Sequence, residues 1–283
     1  MNYELTYYSV FIYFHNNCKL KKGDKIMSVW ITGDIHGEPN RLSMKNFYVQ
    51  KEFSENQDDD VVIIAGDFGL VWDVDGESKS EKYNLDWLEN HNFTTVFVDG
   101  NHENHTRLAT YPVTMWHGGK VHVIRPHVLH LMRGEIYNID GKTFFAFGGA
   151  SSHDISDGIL DYNDPEWKEK ARELNEECRY MYRVKGLSWW AEELPSPEEM
   201  DNGVRNLASA GNKVDFMITH SPSTSELYLM GEKRLYKPDI LTNYLENLKA
   251  TTDYRRHIFG HMHVNQAIND KDICLYEQII RIV

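Results

Sequence analysis

Cysteine, long apolar runs and positive charge are all scarce in this chain of 283 residues. The three cysteines, Cys18, Cys178 and Cys274, are far apart and form no C-x-x-C pair. Neither a disulfide framework nor a thiolate zinc site follows from them, and a reducing compartment is favoured. No run approaches the roughly 18 apolar residues that a membrane-spanning helix needs. We therefore expect a cytoplasmic protein with no membrane partner.

The charge balance argues against long nucleic acid as a partner. The chain carries 30 Lys and Arg against 43 Asp and Glu, which gives a formal net charge of −13. A protein that binds long nucleic acid needs a basic face to neutralise phosphates, so we expect no such partner. Hydrophobic residues make up 41% of the chain and charged residues 26%, which is typical of a folded globular protein.

The first 26 residues differ from the rest of the chain. The apolar stretch at 6–14 has neither the basic flank nor the cleavage site of a signal peptide, and polar residues separate it from Met27. We predict an N-terminal extension at 1–26 and one domain at 27–283; a packed N-terminal strand is the alternative for 1–26. A stretch at about 151–195, rich in acidic and aromatic residues, is predicted to be a partly helical insertion.

The pattern of apolar runs favours an α/β fold. Runs at 29–32, 61–65 and 95–98 end in clusters of Gly, Asp, Asn and His, and stretches long enough for helices lie between them at about 39–56 and 79–91. Alternating strands and helices are typical of a parallel sheet, in which ligands bind beyond the carboxyl ends of the strands.

Further runs extend this pattern towards the end of the chain. Runs at 121–124, 128–132, 135–139 and 143–147 predict a meander that forms a second sheet or its edge. The sequence Ser196-Pro-Glu-Glu199 predicts a capped helix start. Apolar runs at 214–218 and 257–259 predict two more strands that end in histidine.

Side chains typical of metal ligands follow five of these runs. The candidates are Asp34, His36, Asp67, Asn101, His220, His261 and His263. In an extended segment, the i, i+2 spacing puts Asp34 with His36, and His261 with His263, on one face. Oxygen and imidazole ligands without sulfur suit Mn²⁺, Fe or Zn²⁺ better than Ca²⁺ or Mg²⁺. Because the candidates exceed the four ligands of tetrahedral zinc, we expect two divalent metal ions, with Mn²⁺ preferred, that share a bridging carboxylate.

The ordered motifs resemble those of the calcineurin-like metallophosphoesterases. They are Asp34-Ile-His36, Gly66-Asp67, Gly100-Asn-His-Glu103, Thr219-His220 and Gly260-His-Met-His263, and the resemblance spans residues 30 to 263. It implies a four-layer αββα sandwich of two mixed β-sheets flanked by helices, with a dinuclear metal centre at the carboxyl edges of the strands.

The resemblance also implies a role for each candidate. Asp34, His36 and His263 would hold one metal ion, Asn101, His220 and His261 would hold the other, and Asp67 would bridge them. His102 would be the catalytic residue near the scissile bond, without ligating metal.

Such a centre is suited to phosphoester hydrolysis. Two cations lower the pKa of a bridging water, so that hydroxide is available near neutral pH, and they neutralise the phosphoryl oxygens. The hydroxide would attack phosphorus, while His102, if protonated, would donate to the leaving oxygen or stabilise its charge. We expect a hydrolase whose partner is a small phosphomonoester, nucleotide or phosphodiester.

The second motif departs from that of the Ser/Thr phosphoprotein phosphatases. Leu70 and Val71 stand where those relatives have an Asp that supports the catalytic His and an Arg that helps to hold phosphate. This departure disfavours a phosphoprotein phosphatase, although Asp73 or Asp75 could replace the carboxylate. A catalytically silent metal-binding scaffold is the other alternative, and the filled ligand positions disfavour it.

Three further residues are candidates for substrate contact. Arg107 could face the phosphate, or it could be a solvated or salt-bridged helix residue. His153 and Asp154 lie in a loop that could line the site. Glu103 is expected to support the turn that carries Asn101 rather than to ligate metal.

Overall fold

The structure is a computed structural model that describes residues 27–43, 60–231 and 236–283. The extension predicted at 1–26 and most of the helix predicted at 39–56 lie outside these ranges; of that helix, only a 3-10 turn at Pro39–Leu42 is described. Within the described ranges, no helix is both long enough and apolar enough to cross a membrane.

Strands and helices alternate over most of the described chain. The strands are β1 (Val29–Thr32), β2 (Val61–Ile64), β3 (Thr94–Phe97), β4 (Val113–Trp116), β5 (Gly119–Arg125), β6 (Val128–Leu131), β7 (Glu135–Ile139), β8 (Lys142–Phe147), β9 (Gly158–Asp161), β10 (Tyr182–Lys185), β11 (Lys213–Thr219), β12 (Asp253–Phe259), β13 (Gln266–Ala267), β14 (Asp272–Cys274) and β15 (Ile279–Arg281). The helices are α1 (Lys79–Glu89), α2 (His105–Leu108), α3 (Trp167–Glu176), α4 (Pro197–Ser209), α5 (Thr224–Met230) and α6 (Ile240–Thr251).

Two large sheets contain most of the strands. The first has the order β15-β1-β2-β3-β6-β5-β4, and β1, β2, β3 and β6 are parallel neighbours. The second has the order β13-β14-β12-β11-β8-β7, and β8, β11, β12 and β14 are parallel. In each sheet the parallel strands therefore end at one edge. Strands β9 and β10 form a separate parallel pair within the 151–195 stretch.

Alternate side chains of the two large sheets meet in a shared core. The first sheet contributes residues such as Val29, Ile31, Val61, Ile63 and Val96 to this core. The second sheet contributes residues such as Phe144, Ala146, Phe216, Ile218 and Ile258. Because successive residues of a strand point to opposite faces, the residues between them are left to the two outer faces.

Helices cover both outer faces. Val62 and Ile64 of the first sheet pack with Leu85 and Leu88 of α1. On the outer face of the second sheet, Phe145, Phe147 and Met217 pack with Leu207 of α4 and with Leu241 and Leu245 of α6. The result is the predicted four-layer αββα sandwich. The fold class is therefore confirmed.

The predicted meander is wrong in one respect, because its four strands do not share a sheet. Strands β5 and β6 belong to the first sheet, whereas β7 and β8 belong to the second. The chain crosses between the sheets at Gly134, whose φ of 79° suits glycine and whose Cβ position lies 2.6 Å from the backbone nitrogen of Gly203. An alternating pattern shows that one face of a strand is buried, but it does not show which neighbour buries it.

The capped helix start predicted at Ser196 is confirmed. The Glu199 amide donates to Ser196 Oγ at 3.2 Å, and the Ser196 amide donates to Glu199 Oε2 at 2.7 Å. This reciprocal pair satisfies amides at the start of α4, which covers the second sheet.

A buried ion network fixes α5 and α6 against the second sheet. Glu226 Oε1 lies 2.8 Å from His257 Nδ1 and also contacts the ammonium of Lys249, which is 2.9 Å from Asp272 Oδ2. On its other side, His257 Nε2 lies 2.8 Å from Thr219 Oγ1, at the end of β11. Burial alone would raise the pKa of Glu226, but the charges of His257 and Lys249 hold it well below its usual value.

This network predicts a specific loss of stability in acid. Because the pKa of Glu226 is depressed in the folded state, its stabilising contribution is complete above the unfolded value of about 4.5 and is lost as the pH falls below it. We expect the difference in unfolding free energy between the wild type and Glu226→Gln to shrink by about 1 kcal/mol between about pH 7 and about pH 3.5.

Urea unfolding at both pH values measures this difference. Glu198→Gln, which changes an exposed glutamate on α4, is the control and should show no such change. A difference that is the same at both pH values would contradict the prediction.

Candidate metal centre

The candidate ligands lie in loops at the carboxyl ends of the parallel strands. Asp34 and His36 follow β1, Asp67 follows β2, and Asn101 follows β3. His220, His261 and His263 follow β11 and β12 of the facing sheet. Backbone hydrogen bonds join these loops: the His36 amide donates to the Asp67 carbonyl at 2.9 Å, and the His261 amide donates to Asp34 Oδ1 at 3.1 Å.

Four of the side chains form a first cluster. The ligand atoms of Asp34, His36, Asp67 and His263 all lie within 4.8 Å of one another. His263 Nε2 is 2.9 Å from His36 Nε2 and 3.1 Å from Asp34 Oδ2. Imidazole nitrogens and carboxylate oxygens therefore point at one volume.

A second cluster shares Asp67 with the first. The ligand atoms of Asp67, His220 and His261 also lie within 4.8 Å of one another, and His220 Nε2 is 3.2 Å from Asp67 Oδ1. Asn101 is 2% exposed, and the preceding Gly100 lies so close that a Cβ there would clash with Asp67. For the six residues of these clusters, the division around Asp67 is the one that the resemblance implies; the assignment of Asn101 and ligation itself stay predictions.

Buried polar atoms of these residues fit divalent cations. Asn101 Oδ1 is buried and makes no hydrogen bond among the described residues. Asp34 Oδ2 and His220 Nε2 are also buried, and the side chains nearest to them, His263 at 3.1 Å and Asp67 at 3.2 Å, are themselves candidate ligands. Leaving an atom such as Asn101 Oδ1 unsatisfied costs about 1–3 kcal/mol, so it needs a partner. A carboxylate, an amide oxygen and an imidazole are ligands that Mn²⁺, Fe and Zn²⁺ accept.

The backbone is strained at the candidate ligands. His36, Asp67, His261 and His263 have φ values of 46°, 44°, 66° and 50°, in the left-handed region that favours glycine. The extended geometry expected for the i, i+2 pairs is therefore wrong, because tight turns rather than continuing strands aim these side chains. Such conformations cost about 1–3 kcal/mol each and persist where surrounding structure imposes them.

The electrostatics of the clusters favour positive charge. Burial alone would raise the pKa of Asp67, but His220, His102 and His36 hold it well below its usual value. Burial alone would lower the pKa of His220, but Asp67 and Asp34 raise it to about 10. Two buried carboxylates thus attract a positive charge to this point, and a divalent cation supplies one.

Outer hydrogen bonds hold the ligand loops in place. His220 Nδ1 is 2.8 Å from the Ala65 carbonyl, which directs Nε2 at Asp67. Glu103 accepts from the Phe68 amide and from the Gly100 amide, both at 2.6 Å, and so joins the loops after β2 and β3. Glu103 therefore supports the turn, as the sequence indicates.

A comparison with protein families gives a match over most of the chain. Residues 27–265 match the model of the calcineurin-like phosphoesterases. The chain belongs to this family. Membership and the two clusters together support a metal-dependent phosphoesterase with divalent metal ions as cofactors. No curated protein matches the chain.

His102 of this phosphoesterase lies directly beside the clusters. Its amide donates to Asp67 Oδ1 at 2.9 Å, and its ring centre is 4.8 Å from that of His36. Its Nε2 is 3.0 Å from Nη2 of Arg183, on β10. Burial lowers the pKa of His102 to about 4, with Arg183 adding to this effect and Asp67 opposing it. The Arg183 guanidinium therefore supplies a positive charge directly beside this ring.

Arg183 is the residue that sequence reasoning missed. Leu70 and Val71 are 2% and 0% exposed and pack in the core, and the side chain bonded to the His102 ring comes from β10, in the 151–195 stretch, rather than from Asp73 or Asp75. No motif surrounds Arg183, so only the folded chain brings it to His102.

The three predicted substrate contacts have different surroundings. The Arg107 guanidinium pairs with Glu81 at 2.9 Å and donates to the carbonyls of Asp73 and Gly76, which favours the salt-bridged interpretation. Asp154 Oδ1 accepts from Arg183 Nε at 2.6 Å. The His153 ring lies 6.0 Å from that of His261, so His153 is the one of the three that approaches a candidate ligand directly.

A cavity of about 390 Å³ adjoins the second cluster. His261 and His153 form part of its wall, together with Tyr236, Met181 and the serines of the 151–156 loop. The wall combines aromatic rings, an apolar side chain and hydroxyls, which is typical of a pocket for a small organic group.

Proposed function

We propose that this phosphoesterase hydrolyses a small phosphomonoester, nucleotide or phosphodiester with two divalent metal ions, preferably Mn²⁺. One ion would be held by Asp34, His36 and His263, and the other would be held by Asn101, His220 and His261. Asp67 would bind both ions. The observation that carries the proposal is the pair of clusters around Asp67, whose buried carboxylate and imidazole atoms face one another, beside the buried Asn101 Oδ1 that makes no hydrogen bond among the described residues. When bound, such ions polarise phosphoryl oxygens and lower the pKa of a bound water.

The residues around the clusters support the rest of the reaction. The His102 ring lies 4.8 Å from that of His36, so it would be near a phosphoryl group bound by metal ions at the clusters, where it could contact the leaving oxygen. The cavity beside His261 has the volume of a small organic group, which favours a small ester over a folded protein substrate. The buried Leu70 and Val71 also disfavour a phosphoprotein phosphatase.

Removal and return of metal is the direct test of this proposal. Protein stripped with a chelator should hydrolyse neither p-nitrophenyl phosphate nor bis-p-nitrophenyl phosphate. Addition of Mn²⁺ should raise the rate by at least about 100-fold, because the chemistry depends on the cations. Ca²⁺, which prefers an all-oxygen shell, should restore much less.

The ester that the enzyme hydrolyses faster then shows whether it is a monoesterase or a diesterase.

Metal content is the second measurement. Elemental analysis of the reconstituted protein should give two Mn²⁺ per chain. Failure to bind metal would overturn the assignment of the site. Two bound ions without turnover of either ester would instead favour the silent scaffold.

A further inference from the structure

A buried arginine from the insertion reaches the edge of the metal centre. The Arg183 side chain is only 6% exposed. Its Nη2 is 3.0 Å from His102 Nε2, and its Nη1 is 3.5 Å from the carbonyl of Asn101. The guanidinium therefore lies against the motif that carries a candidate ligand and the candidate catalytic residue.

The insertion itself holds this guanidinium in place. Asp154 Oδ1 accepts from Nε at 2.6 Å, and the Ser188 carbonyl accepts from Nη1 at 3.1 Å. A guanidinium has five N–H donors. The contacts with Asp154, Ser188, Asn101 and His102 use four of them, so one Nη2 donor has no partner among the residues that the structure describes.

This arrangement suits an anionic oxygen. A planar, permanently charged guanidinium binds phosphate oxygens in a fixed geometry, and one that is already buried and oriented loses little freedom on binding. The available donor is on the same nitrogen that contacts His102. An oxygen that reaches the His102 ring from the metal clusters therefore comes within reach of Arg183.

We propose that Arg183 binds a phosphoryl oxygen of the substrate beside His102, and that Asp154 is the positioning residue that holds Arg183 there. The inference rests on the proposed function and names a further residue of the same site. It assigns the 151–195 insertion a role in binding the phosphoryl group. The competing explanation is that the Arg183–Asp154 pair only attaches the insertion to the sandwich.

Inorganic phosphate separates these explanations without turnover. We expect calorimetry on the Mn²⁺-loaded enzyme to show that Arg183→Met weakens phosphate binding by about 10- to 100-fold, the effect of losing one charged hydrogen bond. Arg183→Lys keeps the positive charge but loses the planar set of N–H donors, so its phosphate affinity should lie between those of Arg183→Met and the wild type. Asp154→Asn should weaken binding less than Arg183→Met does. Arg172→Met, which removes an exposed arginine of α3, is the matched control and should bind phosphate normally.

Chemical rescue by added guanidinium distinguishes loss of a phosphate contact from loss of structure. Guanidinium added to Arg183→Ala should restore part of the phosphate affinity and should lower KM for p-nitrophenyl phosphate. Metal content and melting temperature, measured on every variant, report separately on folding and on the clusters.

Two results would overturn the role of Arg183. One is phosphate binding by Arg183→Met that equals that of the wild type, including the case in which neither protein binds phosphate. The other is a loss of binding that follows the melting temperature and is not rescued by guanidinium. Both are distinguishable from failure of the proposed function, which appears as absent Mn²⁺ binding or absent Mn²⁺-dependent turnover in the wild type.

Discussion

Asp67→Asn should reduce Mn²⁺-dependent phosphoester hydrolysis by about 1,000-fold or more. Asp67 is the one carboxylate that belongs to both clusters, and its two oxygens face His220 and His36 at 3.2 and 3.8 Å. The amide nearly preserves the shape of the side chain but removes its charge and one acceptor, so neither ion would be held as before. Initial rates with p-nitrophenyl phosphate and bis-p-nitrophenyl phosphate measure the loss.

Metal content gives a second measure of the same substitution. We expect fewer than two Mn²⁺ per chain in Asp67→Asn, because the shared ligand is weakened for both ions. Asp270→Asn changes an exposed aspartate and should leave the rate and the metal content as they are. An Asp67→Asn enzyme with wild-type rates would show that Asp67 does not bridge.

Arg133→Met should lower the free energy of unfolding by about 3–5 kcal/mol, the usual cost of leaving a buried charge without its partner. Arg133 Nε donates to Asp99 Oδ2 at 3.0 Å, and Nη2 donates to the Glu192 carbonyl at 2.8 Å. Asp99 is 1% exposed. Burial alone would raise its pKa, but Arg133 and His130 hold it well below its usual value. Without Arg133, the carboxylate loses its main compensating charge.

Urea unfolding at neutral pH measures this effect. A double variant with Asp99→Asn should be less destabilised than the two single effects combined, because no buried charge then lacks a partner. Arg172→Met serves as the exposed control here also. An unchanged urea midpoint in Arg133→Met would show that the pair contributes little. Asp99 directly precedes the motif Gly100-Asn-His-Glu103. The pair with Arg133 therefore also helps to position the loop that carries Asn101 and His102.

Local pattern was sufficient for many elements of the fold. The runs before Gly33, Gly66 and Asp99 predict β1, β2 and β3, and the Ser196 capping box predicts the start of α4. Strand β4 has no comparable signal, because three of its four residues are exposed at the edge of the sheet. The transfer of the chain at Gly134 from one sheet to the other also has no local signal, because it depends on a close approach to Gly203.

The candidate site, like the fold, has some properties that the sequence shows and others that only the structure shows. The types and order of the candidate ligands can be read from the sequence, since each follows an apolar run and together they match one family. The geometry of these ligands cannot be read from the sequence, because the i, i+2 spacing does not show that His36 and His261 adopt a left-handed backbone conformation in tight turns. Arg183 and Asp154 face each other across 29 positions of the chain, and nothing local distinguishes either residue from its neighbours.

The sequence by itself determined the family, the α/β class and the residue types that would surround two metal ions. These properties depend on apolar periodicity and on short motifs, which act over a few residues. The tertiary structure alone decided which sheet each strand joins, which oxygen and nitrogen atoms converge at Asp67, and which cation contacts His102. Those outcomes depend on contacts between residues far apart in the chain, because only packing of the two sheets and of the 151–195 stretch brings their side chains within hydrogen-bonding distance.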